Sequence, residues 1–387
     1  MGDFAHSNLM HMDVYRGGTA LEADVIQMVV SLFNGDSECC GVTTSGGTES
    51  ILTAIYAYRE WGRAVKGISR ANIVAPRTAH VAFDKACTYL GVEYRELELN
   101  NDLTAEAADF EAAMDENTIA LVVGAPSFPH GVFDPVQEVA RLARNHNVGC
   151  HVDACLGGFM SVFMEEAGYD VMRHDFRVPG VTTISADTHK YGLGPKGCST
   201  LLYRTHELRR FQYYHSVKWM GGVYTTSGIA GSRSAAPVAG TWVQMMLLGR
   251  EGYVANVKRV VETTRRVRGE LQKIQDIELI GPNDMFMNTF TSKRFNPISI
   301  SDYLSKRGWS VNALQHPYAI HVTWTDANCH QWNNFCLDLK SIVEEMHKNP
   351  SMNKTDKAAM YATNVSISDP DMISQFTYVF ADEILTL

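Results

Sequence analysis

The sequence predicts an α/β protein: a mostly parallel sheet covered by helices, followed by a smaller α+β segment. Two observations lead there. From about residue 40 to about residue 205, short β-rich runs alternate with amphipathic helical stretches, the signature of strands joined by crossover helices. After about residue 233 the pattern changes to one long helical region and then a shorter mixture of strands and helices. The chain has 387 residues, 45% hydrophobic and 20% charged, enough for a large core and a second, smaller domain. The expected division is an N-terminal segment over 1–40, a large domain over 41–250 and a small C-terminal domain over 251–387.

The elements follow in order. The stretch ALEADVIQMVVSLFNG carries apolar residues at helical spacing and stops at Asn34-Gly35. Strands are expected at NIVA, IALVVGA, VGCHVDA, VTTISAD and STLLYR, all short apolar or β-branched runs of the kind buried on both faces. Helices are expected between them at GGTESILTAIYAYREWGR, AHVAFDKACTYLG and PVQEVARLARNHN. One helical run, AAPVAGTWVQMMLLGREGYVANVKRVVETTRRVRGELQKI, bridges to the second segment. That segment has strands near IELIG and YAIHVTW, and helices near NPISISDYLSKRG and CHQWNNFCLDLKSIVEEMHK. Ligands of such sheets bind beyond the carboxyl ends of the strands.

Composition removes several classes. A net charge of −9 argues against a general nucleic-acid-binding role. The eight cysteines form no CxxC pair and no zinc spacing, so no metal site is expected, and they read as buried free thiols of a reducing compartment. The first residues lack the apolar core of a signal peptide, and no run approaches the roughly 18–20 apolar residues of a membrane span. The chain as given is therefore expected to be soluble and cytoplasmic.

Four stretches can carry chemistry. In TTSGGTESILTA, Ser45, Gly46, Gly47 and Thr48 precede a helix whose free N–H groups attract phosphate; the same residues could simply cap it. In NVGCHVDACLGGF, Asp153 ends a strand and points at the crevice, where it could hold a ring nitrogen protonated; it could equally cap the next turn. His80 follows NIVA, where an imidazole could stack on a flat ring or merely start a helix, while His151 reads as structural. In SADTHKYGLGPKG, Lys190 follows a strand, and burial there is expected to lower its pKa and make it a Schiff-base nucleophile; the alternative is a surface loop lysine. Together these four suit pyridoxal 5′-phosphate, which needs its phosphate held, its ring nitrogen charged and its aldehyde bonded.

At this point the motifs TSGGTESI, APRTAHVAF, FPHGVFDPV, HVDACLGGF, SADTHKYGLGPKG and GGVYTTSGIAGSR resemble the sphingosine-1-phosphate lyase family, pyridoxal phosphate enzymes of fold type I and of the group II decarboxylase-like class. The similarity runs from GDFAHSNLMHMD to DMISQFTYVFADEILTL. The resemblance implies that Lys190 bonds the cofactor, Asp153 pairs with the pyridinium nitrogen and His80 stacks on the ring. It implies that Gly46, Gly47, Thr48 and His189 hold the cofactor phosphate, and that Gly222 reaches the cofactor phosphate of the neighbouring subunit of a homodimer. Asn8, His11 and Lys196 match positions lining the substrate-phosphate pocket; Arg233 is either a further contact or an ion-pair residue.

The implied reaction is retro-aldol cleavage of the C2–C3 bond of a phosphorylated sphingoid base, giving a long-chain aldehyde and phosphoethanolamine. The alternatives are an amino-acid decarboxylase of the same fold and a truncated, non-catalytic homologue. Family members usually carry an N-terminal extension ahead of the point where this sequence starts; in eukaryotic members it includes a helix that anchors them in the endoplasmic reticulum membrane.

Overall fold

A computed structural model describes residues 1–356, 358–359, 375, 378–379 and 381–384. Much of the 371–387 stretch that shares in the family resemblance lies outside the described residues. The chain divides into two compact units, Met1–Arg259 and Val260–Leu387.

The first unit is built on seven strands: β1 (Cys40–Thr44), β2 (Asn72–Pro76), β3 (Glu93–Leu97), β4 (Thr118–Gly124), β5 (Gly149–Asp153), β6 (Thr183–Ala186) and β7 (Ser199–Tyr203). Their order across the sheet is β1-β7-β6-β5-β4-β2-β3. Pairs among β2 to β6 are parallel, and β7 alone runs against its neighbours, pairing antiparallel with both β1 and β6. The carboxyl ends of β1, β2, β4, β5 and β6 therefore share one edge with the start of β7.

Two strands escape the sequence pattern for different reasons. β1 reads CGVTT, too polar and too short to stand out, although all five residues are buried. β3 reads EYREL, and its charges reflect a place at the sheet edge, where only Leu97 is buried.

Helix Gly47–Lys66 crosses one face and closes on Gly67 in the left-handed conformation at φ 70°. Its Ile51, Ile55 and Tyr58 pack with Ile73, Ile119, Ala120 and Val122 of the strands and with Phe83 and Ala86 of helix Ala82–Leu90. Each isoleucine so buried stabilises the fold by about 1.5–3 kcal/mol. The long helical run is interrupted at Gly249, whose φ of 56° and ψ of −176° are not helical. A two-stranded hairpin, β8 (Tyr214–Ser216) and β9 (Tyr224–Thr226), completes the unit.

The second unit has an antiparallel sheet of β10 (Ile277–Ile280), β11 (Met287–Ser292), β12 (Asn312–Leu314) and β13 (Ala319–Thr323), in the order β10-β11-β13-β12. Helices Pro297–Lys306 and Trp332–Lys348 belong to it. Phe335 anchors its core, meeting the rings of Phe290, Trp309 and Trp324 edge-on. Among the described residues no helix is long and apolar enough to cross a membrane. None of the eight cysteines is joined in a disulfide, and all but Cys39 are buried.

Candidate active site

A cavity of about 420 Å³ opens at the carboxyl edge of the large sheet. Its walls come from four places: Ser45–Glu49 after β1, His80 after β2, Asp153 and Cys155 at the end of β5, and Asp187–Gly197 between β6 and β7. These are the positions the topology predicts for a ligand crevice.

The first wall is the start of helix Gly47–Lys66. No side chain caps it, so neither Ser45 nor Thr48 takes the capping role left open above. Glu49 instead reaches back and accepts from the Ser45 N–H at 2.7 Å. Gly47 is forced by close approach. A Cβ there would stand 2.9 Å from both carboxylate oxygens of Asp187 and 2.9 Å from the Cys155 sulfur. Bare amides at the start of a 20-residue helix, over a floor that admits no side chain, fit a phosphate.

Lys190 lies on the facing wall, and its Nζ is 2.7 Å from Asp187 Oδ2. Asp187 is 2% exposed, and its Oδ1 accepts from Ser199 Oγ at 2.6 Å. This carboxylate was not singled out from the sequence. It sits three residues before the lysine on a turn, and only the turn geometry brings the two side chains together. It also corrects the expected electrostatics. Burial does work against the Lys190 ammonium, but the carboxylates Asp187 and Asp153 favour it, and the pKa of Lys190 is raised instead of lowered. Cys155 is itself pushed well above the usual thiol value by burial and by the two carboxylates.

Asp153 closes the third wall. Its Oδ1 accepts from the Cys155 N–H at 3.0 Å and from Ser185 Oγ at 3.3 Å. His80 accepts the Ala82 N–H on Nδ1 at 3.1 Å, which fixes its ring at the helix start while leaving it in the cavity wall. Its ring meets Phe128 edge-on at 6.4 Å. His189 donates from Nδ1 to the Cys198 carbonyl at 2.8 Å, and Lys196 donates to the His189 carbonyl at 3.2 Å.

Gly46, Gly47, Thr48, His80, Asp153, His189, Lys190 and Lys196 thus meet around one cavity. Asn8, His11 and Gly222 are not part of its walls. Asn8 bridges to Ser232 Oγ at 3.0 Å and accepts the Arg233 N–H at 3.1 Å, which ties the first residues to that segment. His11 is exposed. Gly222 lies between β8 and β9 at φ 105°, close to the exposed Val217, Trp219, Met220 and Val223. Arg233 pairs with Glu22 at 2.6 Å and donates to Thr43 Oγ1 at 3.0 Å, which is the ion-pair reading of that residue. Among the described residues no cluster of three or more histidine, cysteine or acidic side chains is arranged to hold a metal.

Comparison with known proteins bears on the chain as a whole. A sequence model of the pyridoxal-dependent decarboxylase conserved domain matches residues 1–293. Sphingosine-1-phosphate lyase 1 of Rattus norvegicus is 40% identical over 386 residues, 99% of this chain and 68% of the relative. The Arabidopsis thaliana sphingosine-1-phosphate lyase is 38% identical over 384 residues, 98% of this chain and 71% of the relative. The solved sphingosine-1-phosphate lyase of Burkholderia pseudomallei superposes with a TM-score of 0.87 at 36% identity, covering 95% of this chain and 85% of that one. The glutamate decarboxylase of Lactobacillus brevis, at 21% identity and a TM-score of 0.78, shares the fold.

Proposed function

The chain belongs to the pyridoxal-dependent decarboxylase family and, within it, to the sphingosine-1-phosphate lyases, and on that premise we propose how its residues divide the work. The chain is a pyridoxal phosphate-dependent carbon–carbon lyase that cleaves the C2–C3 bond of a phosphorylated sphingoid base, releasing a long-chain aldehyde and phosphoethanolamine. The observation that carries the assignment of roles is the meeting of the Lys190–Asp187 pair, Asp153 and an uncapped helix start around one cavity. When bound, pyridoxal 5′-phosphate supplies an electron sink for the pair released at C2.

Gly46, Gly47, Thr48 and His189 would hold the cofactor phosphate at the uncapped start of helix Gly47–Lys66. Asp153, a carboxylate with its Oδ1 held by two donors, would pair with the ring nitrogen and favour its protonated form. His80, in the cavity wall, would stack its ring on the cofactor. Lys190 is the residue that would bond the aldehyde, a role that needs its amine without the extra proton. Asp187, at 2.7 Å, is placed to take that proton from the Lys190 ammonium and to give it back. Lys196 would meet the substrate phosphate as a point charge at the cavity wall, whereas Asn8 and His11, outside those walls, have that role from the family resemblance alone.

The assembly is inferred to be a homodimer with shared sites, in which Gly222 reaches the cofactor phosphate of a second copy. The exposed apolar side chains around it support a covered surface. Sedimentation of the purified chain tests this: a species of twice the 43.0 kDa chain mass is expected, and a monomer at micromolar concentration would remove the shared site.

The deciding experiment is a product assay. Supplied with pyridoxal phosphate and sphingosine-1-phosphate, the protein should yield phosphoethanolamine and a long-chain aldehyde by mass spectrometry. Carbon dioxide from an amino acid in their place would turn the assignment to decarboxylation.

A further inference from the structure

His151 lies two residues before Asp153 on β5, so both side chains point to the same face of the sheet. The register sets His151 opposite Thr183 and Asp153 opposite Ser185 on β6. Between the strands runs an unbroken file of polar groups, buried at Thr183, His151 and Ser185 and ending at the half-buried Asp153. Ser185 Oγ is 3.3 Å from Asp153 Oδ1, His151 Nε2 is 3.1 Å from Ser185 Oγ, and His151 Nδ1 is 2.8 Å from Thr183 Oγ1. Tyr58, from helix Gly47–Lys66, continues the file with its hydroxyl 2.6 Å from Thr183 Oγ1 and 2.7 Å from Thr182 Oγ1.

The direction of every donor follows from one end. An ionised carboxylate only accepts, so the Ser185 hydroxyl donates to Asp153. Its proton spent, Ser185 must accept from His151 Nε2–H. Nδ1 is then the bare nitrogen and accepts from the Thr183 hydroxyl, whose oxygen accepts from Tyr58. All these dipoles point at Asp153, and a file aligned in this way strengthens each bond within it. The histidine can play this part only when neutral, and burial holds its pKa down to about 4. Gly149, the next same-face position of β5, makes room: a Cβ there would stand 2.1 Å from the Tyr58 ring.

We propose that His151 is a positioning residue for the reaction, holding Asp153 as an oriented, ionised partner for the cofactor's ring nitrogen through Ser185, with Thr183 and Tyr58 fixing its tautomer. The proposal rests on the reading that Asp153 faces that nitrogen. It parallels the way a second hydrogen bond fixes the tautomer of a metal-bound histidine.

The test is the nitrogen-15 resonance of ring-labelled pyridoxal phosphate bound to the full chain, which reports protonation of the ring nitrogen directly. Wild type should show the protonated position, and Asp153→Asn should lose it. Ser185→Ala and His151→Leu should move the resonance toward the unprotonated position, with kcat down about tenfold and KM changed less than about twofold. His151→Gln, which retains an N–H for Ser185, should restore it. If Asp153→Asn leaves the resonance unmoved, the reading of Asp153 itself fails. If Asp153→Asn moves it while Ser185→Ala and His151→Leu do not, the positioning role is overturned. Should His151→Leu fail to fold, Ser185→Ala, a loss of one oxygen, decides alone.

Discussion

At the scale of single residues, the site is governed by one buried carboxylate that composition could not mark. Asp187 keeps Lys190 charged until a proton is moved, so the lysine's reactivity depends on its neighbour. In cofactor-free Asp187→Asn, the Lys190 amine should become reactive at lower pH than in wild type. Labelling with a small neutral amine reagent across a pH series, read by peptide mass spectrometry, measures this directly. Coincident profiles for the two proteins would deny Asp187 that influence. Lys196 stands apart from this pair and donates to the His189 carbonyl within its own loop. Lys196→Ala should raise KM for a phosphorylated substrate by about tenfold or more, the worth of one charge-assisted contact, with the cofactor's visible spectrum unchanged. Loss of the cofactor instead would assign Lys196 to the cofactor's phosphate.

At the scale of elements, helix Gly47–Lys66 supplies the phosphate cradle at its first turn and the Tyr58 hydroxyl farther along, where its apolar face meets the sheet. Gly47→Ala should leave the fold intact but weaken cofactor binding, because the added methyl meets Asp187 and Cys155. Overpacking of this kind costs about 1–3 kcal/mol, and titration of the apoprotein with pyridoxal phosphate followed by absorbance would show it as a Kd at least about fivefold higher. The strands that line the crevice were readable because β2, β4, β5, β6 and β7 are buried along nearly their whole length and read as apolar or β-branched runs. Their edge positions, Asp153 and Lys190, were readable for the same reason, since each follows such a run. What did not show was pairing. His151 and Ser185 look like incidental polar residues until register sets each against its partner, and Asp187 looks like a strand end until the turn folds it onto Lys190. β1 and β3 were missed because their burial, complete in one and slight in the other, is decided by position in the sheet and not by their own residues.

At the scale of the whole molecule, two buried titratable groups bound the pH range of stability from opposite sides. Burial raises the Asp134 carboxyl from 3.8 to about 7, partly countered by the Gly124 N–H. The folded protein then holds a proton that the unfolded chain releases, so this contribution is present in full below pH 3.8 and is lost as the pH rises toward 7. Its upper bound is roughly 4 kcal/mol. His151 acts in the other direction: lowered from 6.5 to about 4, it withdraws stability as the pH falls through that interval. Asp134→Asn should therefore flatten the loss of Tm between pH 5 and pH 8 while leaving the acid limb in place. An equal decline in variant and wild type would show that Asp134 is ionised in the folded state at both pH values.

The sheet order carries a consequence for how the protein is made. Among the described residues β1 pairs only with β7, and Cys40 lies opposite Tyr203. On a chain emerging from the ribosome, β1 and the glycine turn after it wait without a partner while about 160 further residues are synthesised, and closing so long a loop is slow. The cradle and the lysine that faces it are assembled in one late event, so a nascent chain that stalls before β7 holds neither half of the site in working form.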